Sequence, residues 1–242
     1  MTIHPGGQNI CGVSIGVLAL ESYFPKPPGH IKNPSSLPFT TLYEMLDGIT
    51  VPKLLANPTG EMKGRLIEAA RRLEAKGVRA ITGSCGFLAI FQKEIATAVN
   101  VPVFVSSLIQ VPLAHQMTGR TVGVITASAA SLTEAHLRGV GAENTPVVVQ
   151  GLDDAEEFST VILRNERTAM DLAKVEAELL AAAMGMIARN PEIGPIVLEC
   201  TDLPPYAHAL QAALNRPVFD IITLSEMVHR AALRAPFHGF IT

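Results

Sequence analysis

The chain has no tryptophan, and aromatic residues make up only 5% of its 242 residues. That scarcity argues against the stacking platforms on which single-stranded nucleic acids bind. Positive charge is not in excess either: 19 Lys and Arg stand against 22 Asp and Glu, a net charge of −3. Without a basic surplus the chain is poorly suited to a phosphate backbone, so no nucleic acid is expected as a partner. The opening segment MTIHPGGQNICG has neither a basic start nor an apolar run behind it. No export signal is read there, and a cytoplasmic location is expected. Cysteine is rare and odd in number (Cys11, Cys85 and Cys200). Such spacing suits free thiols in a reducing compartment, not a disulfide framework. Between Ile95 and Gly119 no charged residue occurs, but Asn100, Pro102, Gln110, Pro112 and His115 interrupt the stretch. It reads as a buried strand, a loop and a short helix, with no membrane partner. No histidine pair has metal-ligand spacing, and no glycine-rich phosphate loop follows a strand, so neither metal nor cofactor is expected.

What is abundant is apolar: 48% of the residues are hydrophobic and 17% charged. A chain of this length and composition buries a real core, as one large domain or two lobes. Ile15–Leu20 and Thr121–Thr126 are continuous apolar runs, as expected of strands covered on both faces. Between and after them, strand and helix patterns alternate. Strands are expected at 78–82, 101–106, 147–150, 195–198 and 218–222. Helices are expected at 62–76, 87–99, 128–139 (Ser128 or Ser131 near its cap), 168–189, 206–214 and 225–233. Alternation of this kind predicts parallel sheets of the α/β class. Glu21 to Pro38 is a proline-rich loop that follows the functional edge of the first strand. Its length, with Gly29, Asn33 and Ser36, suggests a segment covering a site.

The chain also contains an internal repeat. Fifteen residues after Cys85 comes Asn100, followed by Val101-Pro102-Val103-Phe104; fifteen after Cys200 comes Asn215, followed by Arg216-Pro217-Val218-Phe219. Ile15-Gly16-Val17-Leu18 similarly matches Val122-Gly123-Val124-Ile125. Duplication of one α/β unit predicts two pseudo-symmetric lobes, each a parallel sheet flanked by helices, with the site in the cleft between them. Residues 1–115 form the expected first lobe, 116–224 the second, and 225–242 a C-terminal helix and tail. Each cysteine then falls just past the carboxyl end of a strand, the edge where open α/β sheets bind ligands. Cys11 has no counterpart in the second half and reads as structural.

Two thiols facing one cleft can act as base and acid at a single carbon. Helix N-termini would favour the thiolates. Backbone N–H groups, with hydroxyls such as Ser84 and Thr201, would stabilise a planar carbanion.

Leu198-Glu199-Cys200-Thr201-Asp202-Leu203-Pro204 resembles the second-cysteine motif of the aspartate/glutamate/hydantoin racemase superfamily, and Gly83-Ser84-Cys85-Gly86 sits where that superfamily has its first. The resemblance covers nearly the whole chain. It implies a cofactor-independent isomerase, a racemase or epimerase acting next to a carboxylate or carbonyl, with Cys85 and Cys200 catalytic. Maleate isomerases and arylmalonate decarboxylases are relatives within the superfamily. The sequence departs from the amino-acid racemases where Gly86-Phe87 replace Asn-Thr, and where Ala19 replaces an acidic residue whose nearest substitute is Glu21. The expected substrate contacts are Ser84, Gly86, Phe87, Thr201, Asp202, Glu21, Asn33, Thr126 and Ser128. Asp202 takes the motif's His/Glu position and is expected to orient the thiol or meet a substrate ammonium. Glu199 reads as a surface carboxylate. The implied partner is a small carboxylate-bearing substrate; the alternatives are a one-thiol decarboxylase, a cis–trans isomerase, or a non-catalytic small-acid binding module. The oligomeric state is left open, with a homo-oligomer allowed.

Overall fold

A computed structural model describes Ile3 and residues 6–241. Met1, Thr2, His4, Pro5 and Thr242, which include part of the opening segment, lie outside the described residues. The chain runs β1 (Ile15–Leu20), β2 (Thr41–Leu46), α1 (Val51–Ala56), α2 (Gly60–Ala75), β3 (Ala80–Gly83), α3 (Gln92–Ala98), β4 (Val103–Phe104) and α4 (Gln110–Thr118). It continues through β5 (Thr121–Thr126), α5 (Glu134–Gly139), β6 (Val147–Gly151), α6 (Glu156–Phe158), α7 (Leu172–Arg189), β7 (Ile193–Leu198), α8 (Ala207–Leu214), β8 (Val218–Phe219) and α9 (Ile221–Ala232).

The strands form two four-stranded parallel sheets ordered β2-β1-β3-β4 and β6-β5-β7-β8. The two orders are the same permutation, so the repeat in the sequence is a repeat in topology. Its Pro-Val-Phe segments are equivalent edge strands: Val103 and Phe104 pair with Ile81 and Thr82, and Val218 and Phe219 with Ile196 and Val197. β1 and β7 are buried at every position, which is why they carry uninterrupted apolar runs. Gly16 and Gly123 do matching work. A Cβ on Gly16 would sit 2.9 Å from Leu73 of α2, and one on Gly123 2.9 Å from Met186 of α7. Each glycine lets a long helix pack closely on the strand that opens its lobe.

Local signals account for the helix ends. Thr59 caps α2 by accepting from the Met62 N–H, and Gly77 follows with φ +86. Asp171 caps α7 by accepting from the N–H groups of Ala173 and Lys174, so that helix starts four residues later than its Ala-rich pattern suggested. The expected helix over 128–139 is only α5, capped by Thr133 with His136; Ser128 and Ser131 instead bond one another in the preceding turn. The last helix begins at Ile221 behind an Asp220 capping box, taking residues expected in a strand. β2 and α1 were not expected. β2 is an edge strand of mixed burial, TLYEML, with no clean alternation, and α1 is a six-residue helix with Pro52 in its first turn.

The lobes are interlocked. The expected boundary between residues 115 and 116 falls inside α4, which packs on β5 and β7 of the second sheet, whereas α9 packs back on β3 of the first. One continuous hydrophobic cluster runs from Leu66 and Leu73 of α2 to Leu179 and Met186 of α7, and it includes both Cys85 and Cys200.

Candidate active site

Cys85 follows β3 after a one-residue Ser84 spacer and occupies the N-terminal cap position of a 3-10 turn at Gly86–Phe91; Cys200 follows β7 after a one-residue Glu199 spacer. Both thiols are free and 6% exposed. They lie near enough that a charge on Cys85 raises the pKa of Cys200. The two strand ends are tied directly to one another: the Thr201 hydroxyl donates to the Ser84 carbonyl at 2.7 Å, and the Ser107 hydroxyl to the Leu198 carbonyl at 2.6 Å. The expectation of an α-helix starting at each thiol is not met. A short 3-10 turn follows Cys85, and a turn leading to the 3-10 segment Pro204–Tyr206 follows Cys200.

The surroundings of the two thiols differ. The Cys200 thiol donates to Asp202 Oδ2 at 3.4 Å. Asp202 Oδ1 lies 2.6 Å from His30 Nε2, and the Lys32 backbone N–H donates to His30 Nδ1 at 2.9 Å. With Nδ1 occupied as an acceptor, the ring proton sits on Nε2 and is donated to Asp202. A chain of three side chains thus runs from Cys200 through Asp202 to His30, crossing from the second lobe to the first. Burial opposes the charge on Asp202, but the hydrogen bond from His30, the Cys200 thiol and the charge of Lys26 outweigh it and hold the carboxyl below its usual range. Cys85 has a different setting. The Phe87 N–H and the Lys32 cation favour its thiolate, against burial and the carboxyls of Glu199 and Asp202. Burial dominates at both positions and pushes both thiols well above the ordinary cysteine value.

Two lysines complete the site. Lys32 Nζ donates to the Leu20 carbonyl and the Ser22 hydroxyl, each at 2.6 Å. Burial lowers its pKa, against the pull of Asp202, Cys85 and Glu21. Lys26 lies 3.8 Å from the centre of the Phe24 ring, and burial brings its pKa down to about 8. Glu199 is fully buried rather than a surface group. Thr126 donates to its Oε2 at 2.7 Å, while Oε1 has no hydrogen-bond partner. Burial raises its pKa to about 7.

The structure sorts the expected contacts. Ser84, Gly86, Phe87, Thr201 and Asp202 adjoin the thiols in sequence or by hydrogen bond, and Thr126 reaches Glu199 instead, although several have structural duties. The Ser84 hydroxyl accepts from the Leu20 N–H, and Phe87 packs its edge on His136 with ring centres 5.4 Å apart. Glu21 belongs elsewhere: it accepts from the Gly48 N–H at 2.5 Å and from Tyr23, fastening the turn after β2. Asn33 spends its side-chain amide within the loop, donating to the Lys26 carbonyl and accepting from the Ser35 N–H. Ser128 is held by Ser131. Cys11 is exposed in the segment before β1.

His30, Lys26 and Lys32 were missed. The loop that carries them was singled out, but through Gly29, Asn33 and Ser36. Those residues turn out to build it: Ser36 accepts from the Gly29 N–H and donates to the His30 carbonyl, and Gly29 adopts φ +98 against Pro205. A histidine between two lysines in a loop over the functional edge was the available signal.

No group of three or more His, Cys, Asp or Glu among the described residues could hold a metal ion, and no helix among them is long and apolar enough to cross a membrane.

The fold is shared with enzymes of the resembled superfamily. Arylmalonate decarboxylase aligns with a TM-score of 0.56 at 14% identity, covering 91% of this chain and 92% of its own. An aspartate racemase homologue from Pyrococcus horikoshii aligns at 0.59 with 20% identity, over 90% of this chain and 98% of its own. A glutamate racemase from Bacillus anthracis aligns at 0.58 with 17% identity, over 90% and 82%. No protein-family model matches the chain.

Closer sequence relatives carry another name. Dimethylsulfoniopropionate lyase 5 of Emiliania huxleyi is 33% identical over 242 residues, which are 93% of this chain but only 47% of that protein. The chain thus spans about half the length of this relative. The dimethylsulfoniopropionate lyase of Durusdinium sp. clade D is 30% identical over 240 residues, 96% of this chain and 79% of its own. The sequence relatives are therefore lyases where the motif resemblance had implied a racemase. On that near-complete alignment, within a racemase-type fold, the chain belongs to the dimethylsulfoniopropionate lyase family.

Proposed function

We propose that the cleft is the active site of a lyase that eliminates the β-substituent of a small carboxylate, with dimethylsulfoniopropionate as the first substrate to test. The observation that carries this reading is the 30% identity with the Durusdinium lyase over 96% of the chain. The charges in the cleft support it. Such a substrate is a zwitterion, and the site sets Lys32 and Lys26 close to Asp202. In this reading Lys32 and the Phe87 N–H hold the carboxylate, and Asp202 faces the sulfonium.

Cys200 is the proton-removing thiol in this scheme. It alone has an acceptor for its own proton, Asp202, which is oriented in turn by His30; thiol, acceptor and orienting group are the pattern of an activated thiol. Burial and the Asp202 charge oppose the thiolate at rest, and a bound cation offsets both. The Cys200 thiol gives its proton to Asp202, and as the α-C–H bond breaks the α-proton passes to the Cys200 thiolate. The C–H electron pair becomes the α–β double bond as the β-C–S bond breaks, and dimethyl sulfide leaves with that bond's pair. Acrylate and one proton remain, so atoms and charge balance.

The scheme also relates the fold to the chemistry. Racemisation and elimination share their first step, removal of an α-proton. A sulfonium leaves as a neutral sulfide that needs no acid, so the developing carbanion collapses forward rather than waiting for a proton from the other face. Thiols on both lobes keep a racemase as the second reading. The test is headspace chromatography of purified protein with dimethylsulfoniopropionate. Dimethyl sulfide and acrylate are expected in equal amounts and lost in Cys200→Ser. No sulfide, together with α-proton exchange on amino acids or hydantoins, overturns the lyase in favour of the racemase.

A further inference from the structure

We propose that His30 is a positioning residue that holds Asp202 as an ionised acceptor against the Cys200 thiol, making the state of that thiol depend on docking of the first-lobe loop. The proposal rests on the reading of the cleft as the active site, but it concerns a contact that exists without substrate.

The geometry carries it. The His30 side chain is 2% exposed and the Asp202 side chain beside it 10%. Their 2.6 Å contact spans 172 residues of sequence and joins the two lobes. The Lys32 N–H at Nδ1 leaves the ring one donor, and that donor points at Asp202. The loop cannot place His30 here unless it lies flat on the second lobe. A Cβ on Gly29 would come 2.8 Å from Pro205 Cα, and the Ser36 hydroxyl clamps the His30 carbonyl at 2.7 Å. Removing the ring therefore leaves a poorly solvated carboxylate with one fewer hydrogen bond, which raises its affinity for a proton.

Other groups act on Asp202 as well. Lys26, Lys32 and His30 face it from the first-lobe loop, and Cys85 from the turn after β3. Glu199 and Cys200 precede it in sequence, and the Tyr206 hydroxyl, buried without a partner, approaches from the following 3-10 segment. Among these, His30 and Cys200 are hydrogen-bonded to the carboxylate.

The test has two arms. In the first, the wild-type protein labelled with 15N-histidine is examined by NMR at pH 8, with no substrate present. His30 is expected as the Nε2–H tautomer, and replacing Asp202 with Asn should shift its Nε2 resonance. A His30 with its proton on Nδ1 overturns the proposal, whatever reaction the cleft performs. In the second, kcat/KM for dimethyl sulfide release is followed against pH in His30→Leu and His30→Gln. His30→Leu should move the acid limb upward by about one pH unit or more, with activity recovering above the new limb. His30→Gln, whose amide still donates, should restore the wild-type limb. A profile that is scaled down at every pH without moving, or a Gln variant no better than Leu, overturns it. If His30→Leu does not fold, the Gln variant and the tautomer measurement decide. Absence of lyase activity with the expected tautomer present would reject the proposed reaction and leave the His30–Asp202 pairing standing.

Discussion

Gly86→Ala is the smallest change that pushes the lobes apart at the thiols. A Cβ on Gly86 would lie 2.1 Å from the Glu199 carbonyl oxygen and 2.2 Å from its Oε1. Ordinary van der Waals contact begins near 3.4 Å, so the methyl is more than about 1 Å too close. The first of these atoms is backbone, at the junction of β7 and Cys200, and cannot swing aside. Relief requires the Cys85 turn to move away from the Cys200 turn. Overpacking of this kind costs about 1–3 kcal/mol, a fall of several degrees in Tm for a chain of this size. Catalysis should suffer more, because about 1 Å of misplacement between reacting groups lowers a rate on the order of 100-fold. Gly64→Ala is the control. It lies within α2 with nothing inside 4 Å of the added methyl, so it should stabilise the protein by about 0.5–1 kcal/mol. Thermal unfolding and turnover of both variants provide the assay. A Gly86→Ala protein with wild-type Tm and turnover would refute the close apposition of the two strand ends.

Three further outcomes are expected. Cys200→Ser should lose at least about 100-fold in kcat because a hydroxyl is a far weaker acid than a thiol; Cys85→Ser should lose less, and Cys11→Ser nothing. A larger loss in Cys85→Ser would move the base to the other lobe. Glu199 titrates at about 7 in the folded protein against 4.5 in the unfolded chain. Its folded form binds the proton more tightly, so its stabilisation is complete below pH 4.5 and is lost as pH rises through 7, about 3 kcal/mol in all. Urea midpoints at pH 5 and 8 should reveal a slope that Glu199→Gln flattens; an unchanged slope would contradict the buried, largely neutral carboxyl. Gly29→Ala places a side chain at φ +98 and 2.8 Å from Pro205 Cα. It should reduce turnover with little change in far-UV circular dichroism, since only the loop is displaced, and full activity would argue against the docked loop.

The parts legible in the sequence are those that repeat or that are buried on both sides. β1, β5 and β7 announce themselves as apolar runs because helices cover both faces of each sheet. Cys85 and Cys200 stand out because duplication places them at equal distances from the Val-Phe edge strands. β2 was not legible: it is an edge strand of mixed burial, and its residues follow no period. α1 was hidden by its length of six residues and by Pro52. The site was half legible for a related reason. Its second-lobe residues form one contiguous motif, so Asp202 could be named beside Cys200. The first-lobe residues missing from the sequence reading, Lys26, His30 and Lys32, come from an irregular loop, where no periodicity indicates which side chain turns inward. His30 is aimed by Gly29, Ser36 and the Lys32 N–H, contacts that exist only once the loop is folded. Glu199 was misplaced because a charged residue at a strand end is usually solvated, and only the fold shows it shut beneath Gly86.

The central claim is that the cleft removes an α-proton and expels a β-substituent. Its most direct test is a proton NMR time course in D2O, with dimethylsulfoniopropionate and L-aspartate present together. The account predicts vinyl signals of acrylate growing in step with the dimethyl sulfide singlet, while the aspartate α-proton persists. Intact dimethylsulfoniopropionate alongside loss of the aspartate α-proton to deuterium would contradict it and return the protein to the racemases whose fold it shares.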